Sequence, residues 1–183
     1  MHKSETPLVK PLSLNECPGK TCSVDGHRAI GVSTYLHCII VGEVSILLGK
    51  RFGHTPKMYG CKNWFEVGFM VSIHDVGKLS PGFINKILKD VGQHMEGLPM
   101  WVKGEDHYCD NHPMTSSYAI SKFIEKITDR KCGDVIASIS GSHHGSDQIP
   151  DRFNYPDIKY GGKEWDSLRN SMIKKVADRK SVV

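Results

Sequence analysis

From Ser33 to Lys50 the apolar residues recur at helical spacing. Leu36, Ile40, Val44 and Leu47 form one stripe, with His37, Val41 and Leu48 beside it. The pattern predicts a helix with that stripe as its apolar face, broken at the glycine-containing RFGHTP. A second helix is predicted from about Asn63 to Val76, with Trp64, Val67, Val71 and His74 along one face. Ser80-Pro81 opens a short third helix through about Asp90, because proline suits a first helical turn. Residues 92–111 read as a polar loop around Trp101. Pro113 then starts a helix whose core face is Ile120, Phe123, Ile124 and Ile127. Asp134 to Ser142 is a shorter apolar helix ending in GSHHGSD, and residues 146–162 read as an ordered loop. A last amphipathic helix runs from about Lys163 to Val176, with Trp165, Leu168, Met172 and Val176 on one side. No stretch shows convincing strand alternation, and residues 1–30 read as an irregular segment with turns. The fold class expected is all-α, with one domain over residues 31–183.

Composition narrows the class. With 183 residues, 39% of them hydrophobic and 24% charged, the chain can bury one core without disulfides. No apolar run reaches the ~18 residues that span a bilayer. The N-terminus MHKSETPLVKPLSLNE lacks the apolar centre of a signal peptide. The six scattered cysteines therefore read as reduced thiols in a cytoplasmic protein, with no membrane partner. A net charge of +4 suits a polyanionic partner without requiring one. CPGKTC carries little: Leu14 stands where a phosphate-binding loop needs its first glycine, and Cys17 and Cys22 have no second pair at zinc-finger spacing.

Ten histidines are the anomaly. In SIHDVGKLSPGF, His74 and Asp75 stand side by side at the end of an apolar run. Neighbours on a helix point about 100° apart, so the pair is not placed to bond to itself. Both can reach one metal ion at the helix end, although a solvated Asp beside a core His has the same sequence. His37 lies within the first apolar helix, His112 precedes Pro113, and His143 and His144 close the fifth helix. Buried together without partners these groups would be costly. A metal centre shared between facing helices resolves that cost.

The order H…HD…H…HH, with HDVGKLSPGF around the doublet and SHHG around the pair, resembles the HD phosphohydrolase superfamily. More narrowly, it is similar to the HD nuclease domain of the CRISPR-associated helicase-nuclease of type I interference systems, over about His37 to Trp165. The H-D-x-G-K-x-x-P-x-F run carries this narrower likeness.

The resemblance implies a helical HD domain with a metal site in the bundle. It assigns His37, His74 and Asp75 to one ion, with Asp75 able to bridge, and His112, His143 and His144 to a second. Asp75 and Lys78 are the implied catalytic residues, with Lys78 meeting the scissile phosphate. The cofactors implied are one or two divalent ions, Mn, Fe, Co or Ni ahead of Mg, given the mixed His/Asp donors. The activity implied is metal-assisted hydrolysis of single-stranded DNA in CRISPR antiviral interference. A helicase domain or subunit and an RNA-guided surveillance complex are the implied partners. Family members normally add a further Asp beyond the last helix found here. Its absence before Val183 predicts a domain truncated at its C-terminus with impaired cutting. Asp178, Asp166 and Asp151 are the substitutes within the chain. Two other readings stay open: a phosphohydrolase acting on nucleotides or cyclic nucleotides, and a catalytically incomplete HD-like binding or decoy module.

Overall fold

A computed structural model of the chain describes residues 12–94, 108–124, 130–145 and 157–181. Among these residues the protein is helical, with six α-helices and one two-stranded sheet. The helices are α1 (Thr34–Arg51), α2 (Trp64–Ser72), α3 (Pro81–Asp90), α4 (His112–Ile124), α5 (Arg130–Gly141) and α6 (Gly162–Ser181). Short 3₁₀ turns lie at Pro56–Tyr59, Val76–Lys78 and Asp157–Tyr160.

The helix starts follow from local chemistry. Ser33, Asn63 and Ser80 each cap a helix by accepting a backbone N–H with the side chain, from Leu36, Glu66 and Phe83 respectively. Pro81 occupies the first turn of α3, as its sequence predicts. Asn111 caps α4 through Met114 N–H at 3.1 Å, which puts His112 in the first turn. The two helix ends placed near Val76 and Val176 differ. α2 stops at Ser72, and α6 continues to Ser181.

A hairpin replaces part of the irregular N-terminal segment. β1 (Thr21–Val24) pairs antiparallel with β2 (His27–Ile30), Thr21 opposite Ile30 and Val24 opposite His27. Asp25 and Gly26 form its two-residue turn, with φ of 49° and 79°. Positive φ at both positions matches the tight turn that Asp-Gly favours, so VDGH was the signal for strands.

The core gathers Cys38 and Ile39 of α1, Ile73, Val76 and Leu79 around the 3₁₀ turn, Ile120 of α4, and Trp165, Met172 and Val176 of α6. The predicted face of α6 is thus the buried one, with Leu168 packed partly against the core. Ile120 and Phe123 likewise turn inward, whereas Ile127, Trp101 and residues 146–156 lie outside the described residues.

The predicted apolar stripe of α1 faces the other way. Leu36, Ile40, Val44 and Leu47 are 44–65% exposed, and the buried positions are Thr34, Cys38, Ile39, Gly42 and Gly49. Small residues make the contact because α2 approaches closely. A Cβ on Gly42 would lie 1.8 Å from Ser72 Oγ, and one on Gly49 would lie 2.4 Å from the Trp64 ring.

Arg169 of α6 ties the helices to the turn after Asp75. Fully buried, it donates to Leu79 O at 2.7 Å and Tyr160 O at 2.9 Å, and pairs with Asp166 at 2.5 Å. Asp166 also meets Lys122 of α4 at 2.7 Å. No helix among the described residues is long and apolar enough to cross a membrane.

Candidate metal centre

The doublet His74-Asp75 lies just past the end of α2, where the chain tightens from an α-helix into a turn. Ile73 N–H still bonds to Phe69 O, but Val76 N–H bonds to Ile73 O and Lys78 N–H to Asp75 O, three residues back. This change of winding lets His74 and Asp75 face one point instead of splaying as helix neighbours do.

Gly77 decides what comes to meet them. A Cβ there would lie 2.1 Å from His112 O and 2.3 Å from Ser116 N, so only glycine lets the first turn of α4 close on the doublet. Gly77 N–H donates to Ser116 Oγ at 2.8 Å, which seals the approach. His112 is thereby delivered to Asp75. α5 packs along α4 and ends at Gly141, placing His143 and His144 opposite.

Asp75 is the hub. Its side chain is 4% exposed, with Oδ2 at 3.0 Å from His37 Nε2, 3.1 Å from His74 Nε2 and 2.8 Å from Lys78 Nζ. On the other side, Oδ1 lies 3.1 Å from His143 Nε2 and 3.3 Å from His112 Nε2. Those two contacts lack hydrogen-bond alignment, which leaves the buried Oδ1 without a hydrogen-bond partner. A buried carboxylate oxygen ringed by ring nitrogens yet bonded to none is what a site for a cation presents. Burial alone would raise the Asp75 carboxyl, but the surrounding imidazoles outweigh it and hold it well below the ordinary carboxylate range.

The tautomers agree with that reading. His74 Nδ1–H donates to Val71 O at 2.7 Å and His143 Nδ1–H to Ser140 O at 2.5 Å. With the ring neutral, each tether leaves Nε2 as the lone-pair nitrogen turned toward Asp75, as a metal ligand needs. With the ring protonated, Nε2–H donates to the carboxylate instead, the form that lowers Asp75 in the metal-free protein. His112 Nε2 and His144 Nε2 face each other at 3.0 Å, so at most one can carry a proton along that line. Burial keeps His112 below the usual histidine range and, with His143 beside it, does the same for His144. For His143, burial also lowers the value, but Asp75 and the Ser140 carbonyl raise it overall.

Two donor groups emerge, His37–His74–Asp75 and His112–His143–His144, each with ligand atoms within 4.8 Å of one another. All six sequence-derived candidates therefore meet in one place, and the two groups divide as the resemblance divides them. Their chemistry, imidazole with carboxylate, fits divalent transition metals. Lys78 is less exposed than a lysine after glycine suggests: it is buried against Asp75, 5.6 Å from the Phe83 ring centroid. Of the substitute carboxylates, the two among the described residues, Asp166 and Asp178, do not join the centre. Asp166 is engaged by Arg169 and Lys122, Asp178 is exposed on α6, and Asp151 lies outside the described residues. Arg169 was missed by sequence reading, since an Arg on a polar-rich helix gives no sign of burial.

Comparison with known proteins follows the same line. The family described as "Cas3, HD domain" matches residues 59–182. His37 lies before that segment, so its place in the centre rests on geometry. A solved structure titled "Crystal structure of CRISPR-associated protein" is similar with a TM-score of 0.53 and 15% identity, which is a likeness of fold. The alignment covers 96% of this chain and 20% of that one, so this chain spans about a fifth of its length. No curated protein matches the chain.

Proposed function

Because the chain belongs to the Cas3 HD-domain family, we propose that it is a metal-dependent nuclease domain that hydrolyses phosphodiester bonds of single-stranded DNA in CRISPR antiviral defence. The observation that carries the reading is the convergence of His37, His74, His112 and His143 on the two oxygens of one buried carboxylate.

His37, His74 and Asp75 would hold one ion and His112, His143 and His144 the other, with Asp75 touching both groups. Divalent Mn, Fe, Co or Ni bound there supplies Lewis acidity toward a phosphate and a hydroxide nucleophile near neutral pH. The chain's own residues do the rest. The Val71 and Ser140 carbonyls orient two imidazoles, and the Asp75 carboxylate keeps the donor groups in register. Lys78, a compact cation 2.8 Å from the same carboxylate, is suited to a non-bridging phosphate oxygen or to charge developing on it. The partners that would deliver the strand, a helicase domain or subunit and an RNA-guided complex, are those that the resemblance of HDVGKLSPGF and SHHG implies.

The test is cleavage of labelled single-stranded DNA by the purified chain with Mn, Co or Ni. Cutting is expected, is lost in EDTA, and falls by more than about a hundredfold in Asp75→Ala, beyond the loss typical of an outer-shell partner. Turnover of nucleotides or cyclic nucleotides with intact DNA would favour the phosphohydrolase reading. Tight metal binding with no turnover of either would favour the binding-module reading.

A further inference from the structure

Beside the metal centre the chain forms an apolar cleft of about 610 Å³. Val41 of α1, Met58 and Tyr59 of the turn before α2, Met70 of α2, and Ile136 and Ile139 of α5 make its walls, and His74 and His143 stand at its inner edge. Two of the imidazoles around Asp75 are thus also part of this cleft. Its volume lies in the range of small-molecule sites, and it opens to the surface.

We propose that this cleft is a nucleobase subsite: it takes one unstacked base of the strand whose phosphodiester lies at the metal centre. The inference deepens the nuclease reading and rests on it for the position of the phosphate. Three observations favour this occupant over an apolar protein segment. The cleft is continuous with the centre through His74 and His143, so a group in it lies next to any bound phosphate. The segment that brings Met58, Tyr59 and Cys61 to the cleft wall is cationic: Lys50, Arg51, Lys57 and Lys62 are exposed along it, and no carboxylate occurs from Lys50 to Asn63. A chain of phosphates bearing flat apolar groups matches that combination, and an aliphatic helix does not. The lining is also adaptable: Cys61 Sγ lies 3.5 Å from Met70 Sδ, and thioethers fit differing ring shapes. The subsite is therefore expected to accept any base and to require a single strand, because a base in a duplex stays stacked.

The experiment is fluorescence anisotropy of the full chain in EDTA, where binding is read without metal or turnover. The probes are a labelled oligothymidylate of about twelve nucleotides and an abasic strand of equal length and phosphate number. Wild type is expected to bind the base-bearing strand about tenfold more tightly, within the range measured for base stacking on proteins. Val41→Trp, which fills the cleft, and Ile139→Ser, which opens a wall at a side chain already 56% exposed, should remove most of that preference. Neither should change abasic binding, because the phosphate contacts are untouched. Should Val41→Trp fail to fold by thermal melting, Ile139→Ser carries the test. Equal binding of both strands by wild type, no binding of either, or an unchanged preference in a folded variant overturns the proposal. A chain that prefers bases but cuts nothing would overturn the nuclease reading and leave the subsite. One that cuts DNA while binding both strands alike would do the reverse.

Discussion

Asp75 shows how one side chain can organise a site and a fold together. With a side chain 4% exposed, it accepts the Lys78 ammonium on Oδ2 and faces four imidazoles. Removing its charge leaves a buried lysine without a counter-ion, and breaking such a pair costs about 3–5 kcal/mol. The pH dependence follows from the depressed carboxyl. A carboxyl held below its ordinary value contributes stability fully above about pH 4, and loses it as pH falls through the depressed value. In EDTA, Asp75→Asn is therefore expected to be less stable than wild type at neutral pH, with the gap narrowing at strongly acidic pH. Urea unfolding at several pH values checks this. A gap that widens steadily below about pH 4 would show that the carboxylate is not the stabilising form.

At the scale of an element, α1 inverts the usual rule. Its most apolar stripe faces outward while Cys38, Ile39 and two glycines pack against α2 and Trp64. The reason is distance: helices this close admit hydrogen or a small side chain at the contact, and large apolar residues are pushed to the flanks. Leu47→Ser, at a side chain 65% exposed, is expected to change stability by less than about 0.5 kcal/mol. Ile39→Ala, at 4% exposure, is expected to cost about 2–5 kcal/mol, the range for truncating a core aliphatic residue. Paired urea titrations decide it. If Leu47→Ser were the costlier change, the buried face of α1 would be the hydrophobic stripe after all.

At the scale of the whole molecule, the donor groups join segments far apart in the chain, from His37 in α1 to His144 beyond α5. An ion held by His37, His74 and Asp75, or by His112, His143 and His144, needs donors from separate elements and so binds the folded state and not the unfolded one. At a hundredfold excess over the dissociation constant this adds about 2.7 kcal/mol. For a domain of this size, that corresponds to a rise of roughly 5–10 °C in melting temperature. Thermal melts with Mn, Co or Ni against EDTA measure it, and superimposable curves would count against a formed metal centre. Arg169 works at the same scale without a metal: from α6 it holds the carbonyls of Leu79 and Tyr160, bracing the far side of the turn that carries Asp75.

Much of this was legible in the sequence because it is local. Capping side chains at Ser33, Asn63 and Ser80, proline at 81 and helical periodicity in α6 act within a turn or two, so residue order suffices to read them. The candidate histidines and Asp75 were legible because their chemistry is rare in an apolar setting and their order matches a known pattern. The VDGH hairpin was equally local and was passed over because its strands are short and largely exposed. What tertiary structure alone decided depends on which surfaces meet. The outward stripe of α1, the burial of Lys78 and Arg169, and the division of the imidazoles between the two oxygens of Asp75 are of this kind. The outward stripe of α1 and the arrival of His112 at Asp75 follow from close approaches at Gly42 and Gly77, where a missing side chain sets the distance between segments far apart in sequence. Hydropathy ranks such positions as neutral, so no periodicity along the chain can announce them.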